Sequence, residues 1–283
     1  MPDSAVLLIH CPDQKGIVAG ISGFLYAHGA NILHADQHQD HDLGLFFMRV
    51  EWDVKDFDLD EAAFHEAFRA LAGGFRMQWK LAYSKARPAV AIFVSQQQHC
   101  LLDLLYRHRI GDLPCRVPLI ISNHPAAREL STFYEIPYHH IAADGNRAET
   151  EAAQLALLQE HHIDLIVLAR YMQVLSPGFV ERYRQRIINV HHSFLPAFSG
   201  ARPYQAAYHR GVKLIGATSH YVTEVLDDGP IIEQDVVRIS HRDQVGDLVQ
   251  KGRELERVVL CRAVQWHLEN RILHFAGKTV VFD

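Results

Sequence analysis

The stretch DLIVLARYMQVLSPGFVERYRQRIINVHH, residues 164–192, sets two apolar runs, DLIVLA and RIINV, on either side of a polar segment. Each run is nearly continuous. That suits a parallel strand covered on both faces, whereas a half-exposed strand would alternate. AVAIFVS (89–95) and VPLIIS (117–122) have the same character, and helical stretches separate the four. Alternating β and α predicts an open doubly wound sheet, whose ligand sites lie beyond the carboxyl ends of the strands. RIINV delivers Asn189 and His191 to such an end, two residues apart and so on one side. An amide donor and an imidazole can then converge on one substrate atom. Acyl-group chemistry needs that pairing, a donor for the developing oxyanion and a group that shuttles protons. A purely structural strand end is the alternative.

Downstream, ATSHYVTEVLDDGPIIEQDVV (217–237) reads as a strand carrying His220, then Asp227 and Asp228 before Gly229-Pro230. Asp-Gly-Pro is strong turn chemistry and needs no further role. The strand resumes at once, however, so a carboxylate at this bend would point from a sheet end towards whatever Asn189 and His191 face.

The first 84 residues have a different pattern. AVLLI, ANILHADQ, LGLFFMRVEW and RMQWKLAY are strand-like; GIVAGISGFLYAHG and DLDEAAFHEAFRALAGGF are helical. The second helix has an acidic first turn, with Phe64 and Phe68 at i,i+4. The order βαββαβ is that of a ferredoxin-like sandwich. HADQHQDHD (34–42) falls between two apolar runs as a polar hairpin connection, and its spacing matches no catalytic zinc motif. SKARP (84–88) is a short linker. The expected organisation is therefore α/β, with domains at 1–84 and 85–283, the second closing on a long amphipathic helix, VGDLVQKGRELERVVLCRAVQWHLENRI.

Composition is that of a soluble globular chain, 48% hydrophobic and 22% charged over 283 residues, with a net charge of −5. That balance gives no electrostatic case for nucleic acid or an anionic membrane. No apolar run approaches the ~20 residues of a membrane span, and the N-terminus lacks a signal peptide. Four widely spaced cysteines without a CxxC pair point to reduced thiols in a cytoplasmic protein.

PDQKGIVAGISGFLYAHGANI resembles the opening of an ACT domain, in which an acidic residue and a Gly in the first loop precede a helix and an Asn-Ile pair at the second strand. Asp13, Gly16 and Asn31 stand at the matching places. The resemblance implies pairing between chains, as a homodimer or homotetramer, and a small regulatory ligand such as an amino acid. Gly16 would let helix N-terminal amides approach a carboxylate, or simply permit the turn.

Over roughly residues 88–280 the chain resembles the formyltransferase-fold family that uses 10-formyltetrahydrofolate, through N-x-H followed by L-D-x-G-P. The resemblance implies that Asn189, His191 and Asp227 are catalytic. It makes His220 a further active-site residue, and it places the pterin against the backbone of Tyr171, Met172, Gln173, Val174 and Leu175 and the loop around Thr223. Within the family, transformylases hold a phosphate in a Gly-rich loop after the first strand. Here that place reads FVSQQQHCLLDLLYR, without Gly, and His192 stands where the transformylase pattern has Pro. Both departures, with the ACT-like segment, resemble the formyltetrahydrofolate deformylases, which release formate for purine synthesis and balance the one-carbon pool. Gln96 departs from their pattern, which has Lys. The implied substrate is the folate itself, with no prosthetic group and no metal, and His192 is implied to hold the loop or position water. Transfer to an amine acceptor, or a non-catalytic ACT sensor, are the alternatives.

Overall fold

The computed structural model describes residues 3–143, 145–197 and 203–282. Two compact units emerge, residues 1–86 with 269–283, and residues 87–268.

In the first unit, β1 (Ser4–Pro12), α1 (Ile17–Ala27), β2 (Asn31–Asp40), β3 (Leu45–Asp53), α2 (Glu61–Phe75) and β4 (Gln78–Tyr83) follow the expected βαββαβ order. The strands form an antiparallel sheet ordered β2-β3-β1-β4. Asp60 caps α2 by accepting from the Ala63 amide at 2.8 Å. Phe64 and Phe68, one turn apart, bury their rings with Trp52 and one another, at centroid separations of 5.8 and 5.2 Å.

The strand β2 corrects one reading. Residues 34–40 are not a connection but continue an edge strand paired with β3 as far as Asp40, and only 41–44 turn. An edge strand exposed on both faces tolerates polar side chains throughout, so its alternation is lost.

The chain's last segment is the other difference. The sequence places residues 269–283 with the second domain, yet they pack with the first unit. One face of β1, through Ala5, Leu7, Ile9 and Cys11, packs with residues of α1 and α2. Val6 and Leu8 on the other face meet Phe275 and Phe282 of a C-terminal hairpin. Burial on both faces is why β1 is apolar at every position from Ala5 to Ile9. Arg49, 6% exposed, pins the hairpin by donating to the Asn270 carbonyl at 3.2 Å.

The second unit comprises β5 (Ala89–Val94), α3 (His99–Ile110), β6 (Arg116–Ser122), α4 (Arg128–Phe133), β7 (Tyr138–His140), α5 (Arg147–Glu160), β8 (Leu165–Ala169), α6 (Pro177–Arg182), β9 (Ile187–His191), α7 (Pro203–Arg210), β10 (Leu214–Tyr221), β11 (Ile231–Arg238) and α8 (Val245–Leu268). The C-terminal hairpin of the first unit is then β12 (Ile272–Phe275) and β13 (Lys278–Val281). The second unit's seven strands run β11-β10-β9-β8-β5-β6-β7; β9, β8, β5, β6 and β7 are parallel, and β10 pairs antiparallel with both β9 and β11. The β5 and β8 strands are fully buried and β9 is buried except at the half-buried Asn189, as their continuous apolar character requires. From β5 the chain first adds β6 and later returns to add β8 on the opposite side. The topological switch point therefore lies between β5 and β8, and a ligand crevice is expected beyond their carboxyl ends. No helix among the described residues is long and apolar enough to cross a membrane.

Candidate active site

Asn189 and His191 occupy the last turns of β9, opposite His220 and Thr218 of β10 in the strand register. That pairing places the Asn189 amide nitrogen 3.2 Å from His220 Nε2. His220 Nδ1 lies 2.9 Å from the Tyr221 carbonyl, an acceptor only, so Nδ1 carries the proton and Nε2 accepts from Asn189. Burial lowers the His220 pKa and favours this neutral tautomer. His220 thus fixes the Asn189 amide with its nitrogen as donor and leaves a second N–H for a ligand.

Asp227 reaches the same place from the β10–β11 connection. Its Oδ1 stands 3.2 Å from His191 Nδ1 and 3.9 Å from His220 Nε2. The hydrogen bond from His191 holds the Asp227 carboxyl below its ordinary range, against the opposing effect of burial. The backbone that presents it is strained, for Asp227 adopts φ +56, in the left-handed region. The bend is locked from both ends by hydrogen bonds from the Tyr221 amide to Pro230 and the Val222 amide to Ile187. A side chain at Gly229 would meet the Tyr221 carbonyl oxygen at 1.6 Å, so the chain passes there only as Gly. Asp228, the next residue, is exposed. His191 Nε2 is buried and finds no hydrogen-bond partner among the described residues.

The loop after β9 is tied down by Thr218, whose hydroxyl donates to the Ser193 carbonyl and accepts from the Leu195 amide and Gln234. Residues 198–200 of the expected loop lie outside the described residues.

His192 is 7% exposed, its ring 5.1 Å from that of His191. Burial, the Arg170 cation and His191 together push its pKa down to about 4. A consequence for stability follows. In the unfolded chain the ring titrates near its ordinary ~6.5, so between there and pH 4 the unfolded state binds more protons. The contribution is complete above pH ~6.5 and is lost as pH falls towards 4, by about 3 kcal/mol at most. His220, depressed by burial, acts in the same direction. A His192→Gln chain should show a smaller drop in Tm between pH 7 and 4.5 than the parent. Equal drops would place the acid lability elsewhere.

The remaining expected contacts divide. Tyr171 turns its ring into the core and its hydroxyl accepts from Gln154 Nε2 at 2.9 Å, while Leu175 is also buried. The side chains of Met172, Gln173 and Val174 are exposed, while the Val174 carbonyl of that loop accepts from Arg147 Nη2 at 2.8 Å. The Met172 amide donates to Ser95 Oγ at 3.1 Å across the switch point. Thr223 bonds to Val225, and the exposed Val225 and Leu226 add apolar surface to the same rim. After β5, Ser95 also donates to Asn123 and Gln98 to the Ala126 carbonyl, so this loop is engaged by its neighbours; Gln96 is exposed.

In the other unit, Asp13 accepts from the Gln39 side chain, Gly16 takes φ +95 ahead of α1, and Asn31 opens β2; all three are exposed.

Sequence reasoning passed over Arg170, His99, Tyr204 and Glu256, which cluster beyond His192. Ligand atoms of His99, Cys100 and Glu256 lie within 4.8 Å of one another. A divalent cation is nevertheless poorly served. Arg170 already stands 3.4 Å from the carboxylate, and burial, followed by the Glu256 charge, drives the Cys100 thiol well above its ordinary pKa.

Comparison with known proteins matches residues 89–264 to the formyl transferase family model and residues 5–69 to the ACT domain model. A formyltetrahydrofolate deformylase of Synechocystis sp. is 52% identical over 280 residues, covering 99% of this chain and 98% of the relative. The crystal structure of a formyltetrahydrofolate deformylase from Pseudomonas syringae pv. tomato superposes with a TM-score of 0.97 at 46% identity, covering 100% of this chain and 95% of that one. Glycinamide ribonucleotide transformylase 1 from Symbiobacterium toebii aligns over 70% of this chain and 95% of its own, with a TM-score of 0.67 and 29% identity. An ACT domain followed by a formyl transferase domain, matched along its whole length at such identity, places the chain in the formyltetrahydrofolate deformylase family.

Proposed function

We propose that the chain hydrolyses 10-formyltetrahydrofolate to tetrahydrofolate and formate, with Asn189, His191 and Asp227 carrying the reaction. The observation that supports this most is their convergence at the carboxyl end of β9, with Asp227 bonded to His191 and the Asn189 amide oriented by His220. Asp227, directly or through His191, orients a water molecule whose oxygen attacks the formyl carbon. Asn189 donates to the formyl oxygen as it gains charge. The C–N10 bond then breaks, and His191 delivers the proton taken from water to N10. The formyl amide of a weakly basic aryl nitrogen is already activated, so this chain's own groups suffice. The backbone of the loop at Tyr171, Met172, Gln173, Val174 and Leu175 and the loop from Thr223 hold the pterin, and the exposed Met172, Val174, Val225 and Leu226 offer apolar contact.

The loop after β5 supports hydrolysis over transfer to a phosphorylated amine. Its Ser95 and Gln98 side chains are bonded to Asn123, Met172 and Ala126, and it has no Gly to bring its backbone amides up to a phosphate. Incubating 10-formyltetrahydrofolate with the protein alone should yield formate and tetrahydrofolate in equal amounts. Turnover that begins only when an amine is added would instead establish a transferase.

The ACT unit is proposed to take a small effector, an amino acid such as glycine or methionine, around Asp13, Gly16 and Asn31, and to pair chains as a homodimer or homotetramer. Four free, buried cysteines agree with a cytoplasmic setting.

A further inference from the structure

Beyond His192 the second unit contains a buried ionic cluster that the proposed hydrolysis does not use. Glu256 of α8 is 1% exposed. One of its oxygens accepts from the Tyr204 hydroxyl at 2.7 Å; the other lies 2.7 Å from His99 Nε2 and 3.4 Å from Arg170 Nε. The Tyr204 ring in turn stands 6.0 Å from that of His192. The groups come from the end of β8, the first residue of α3, α7 and α8, so a continuous set of side chains leads from His191 to the N-terminal end of α3. Arg170 and His99 follow β8 and β5, the two strands that flank the switch point.

Two backbone features show that the cluster is built in. Arg170 adopts φ +60, a conformation free to Gly but strained for a long side chain. Gly252, one turn before Glu256, sits inside a continuous 24-residue helix. A Cβ there would come within 2.0 Å of the Tyr204 hydroxyl oxygen, so Gly at an unfavourable mid-helix position is what admits the tyrosine. Glu256 stays ionised: burial opposes its charge, but His99, Arg170 and Tyr204 together outweigh burial and hold its pKa low.

Resting on the deformylase reading, we infer that Arg170 and Glu256, with His99, Tyr204 and His192, fill the space beside His191 that an amine acceptor would need, and so determine that water is the nucleophile. The charges exclude as well as the volume. A phosphorylated acceptor would bring its anion against the Glu256 carboxylate, near the helix end that would otherwise attract it. A protonated amine would meet the Arg170 cation. Water is small and neutral and meets neither obstacle. With an amine, a new bond forms from its nitrogen to the formyl carbon, the C–N10 bond breaks, and the amine's proton passes to N10, giving a formamide and tetrahydrofolate.

The test uses the full chain with 10-formyltetrahydrofolate and excess glycinamide, measuring N-formylglycinamide and formate together. The parent should yield formate with only a trace of formylglycinamide, which sets the reference ratio. Arg170→Gly, which suits the backbone, should raise the ratio of formylglycinamide to formate by about tenfold or more. Arg170→Gly with Glu256→Gln removes both charges, so that neither is left buried alone, and should show the same rise if the single variant does not fold. A ratio unchanged in variants that still hydrolyse would overturn the inference. Loss of both reactions in folded variants would also overturn it, making the cluster a support for His191 rather than a barrier. A parent that releases no formate would bring down the deformylase reading itself, an outcome distinct from either.

Discussion

Asp227→Asn is expected to lower kcat for formate release by about 100- to 10,000-fold while leaving folate affinity within a few-fold. The carboxylate stands at 3.2 Å from His191 Nδ1 and is held in its ionised form by that hydrogen bond. Asparagine keeps the shape and can still accept from His191, but it brings no charge to balance an imidazolium and no base to draw a proton from water. Binding survives because the pterin is assigned to backbone groups, which the substitution does not touch. Asp228→Asn is the internal control. Its side chain is exposed at the same bend, and its rate should stay within about twofold of the parent, as surface changes generally do. Formate release and equilibrium folate binding, measured on both variants, separate the two effects. A large loss in Asp228→Asn with a small one in Asp227→Asn would mean that the bend presents the other carboxylate in solution. Acid inactivation through Asp227 sets in at lower pH than for an ordinary carboxylate, because the hydrogen bond from His191 favours its charged form.

How far the site could be read in advance depends on the range of the physics involved. Asn189 and His191 were legible because strand periodicity is local: two residues apart on an apolar strand means one side of one rim. The bend that carries Asp227 was legible through its turn chemistry, though its pairing with His191 was only implied by the resemblance, and the βαββαβ order of the first unit was legible through hydrophobic spacing. The buried cluster was not. Glu256 falls four residues from Gly252 and from Leu260 in the buried row of α8, but spacing alone does not say what would pair with a carboxylate there. Its burial exists only because Arg170, His99 and Tyr204 arrive from three other elements. Gly252 in mid-helix is a further local trace, which marks a close approach without naming what approaches. The C-terminal hairpin was hidden for a related reason. The unbroken apolar run of β1 says that both faces of the strand are covered, but periodicity cannot say that residues 272–282 supply the second cover. Tyr171 shows the opposite limit. The resemblance placed its backbone at the ligand, and the ring proves to be core, bonded to Gln154.

Asn189→Ala is expected to reduce kcat by about 100- to 1,000-fold with KM changed far less, because the donor it removes meets charge that develops only after the ground state. The side chain does two things, however, and they have to be told apart. It aims one N–H at the site, and it supplies the hydrogen bond that His220 Nε2 accepts at 3.2 Å in a nearly dry setting. Removing it leaves His220 Nε2 unpaired, a loss of about 1–3 kcal/mol in stability. Asn189→Asp distinguishes the two. It retains size and a partner for His220, which would have to protonate Nε2 to donate, but offers no N–H to the formyl oxygen and adds a negative charge close to Asp227. If Asn189 acts as the donor, the Asp variant should be at least as slow as the Ala variant although its fold is better supported at neutral pH. If instead its role is only to hold His220, the Asp variant should recover much of the lost rate. Comparing kcat with Tm across the pair decides the matter, since a purely structural role makes both recover together from the Ala to the Asp variant, whereas a donor to the oxyanion leaves kcat low while Tm recovers.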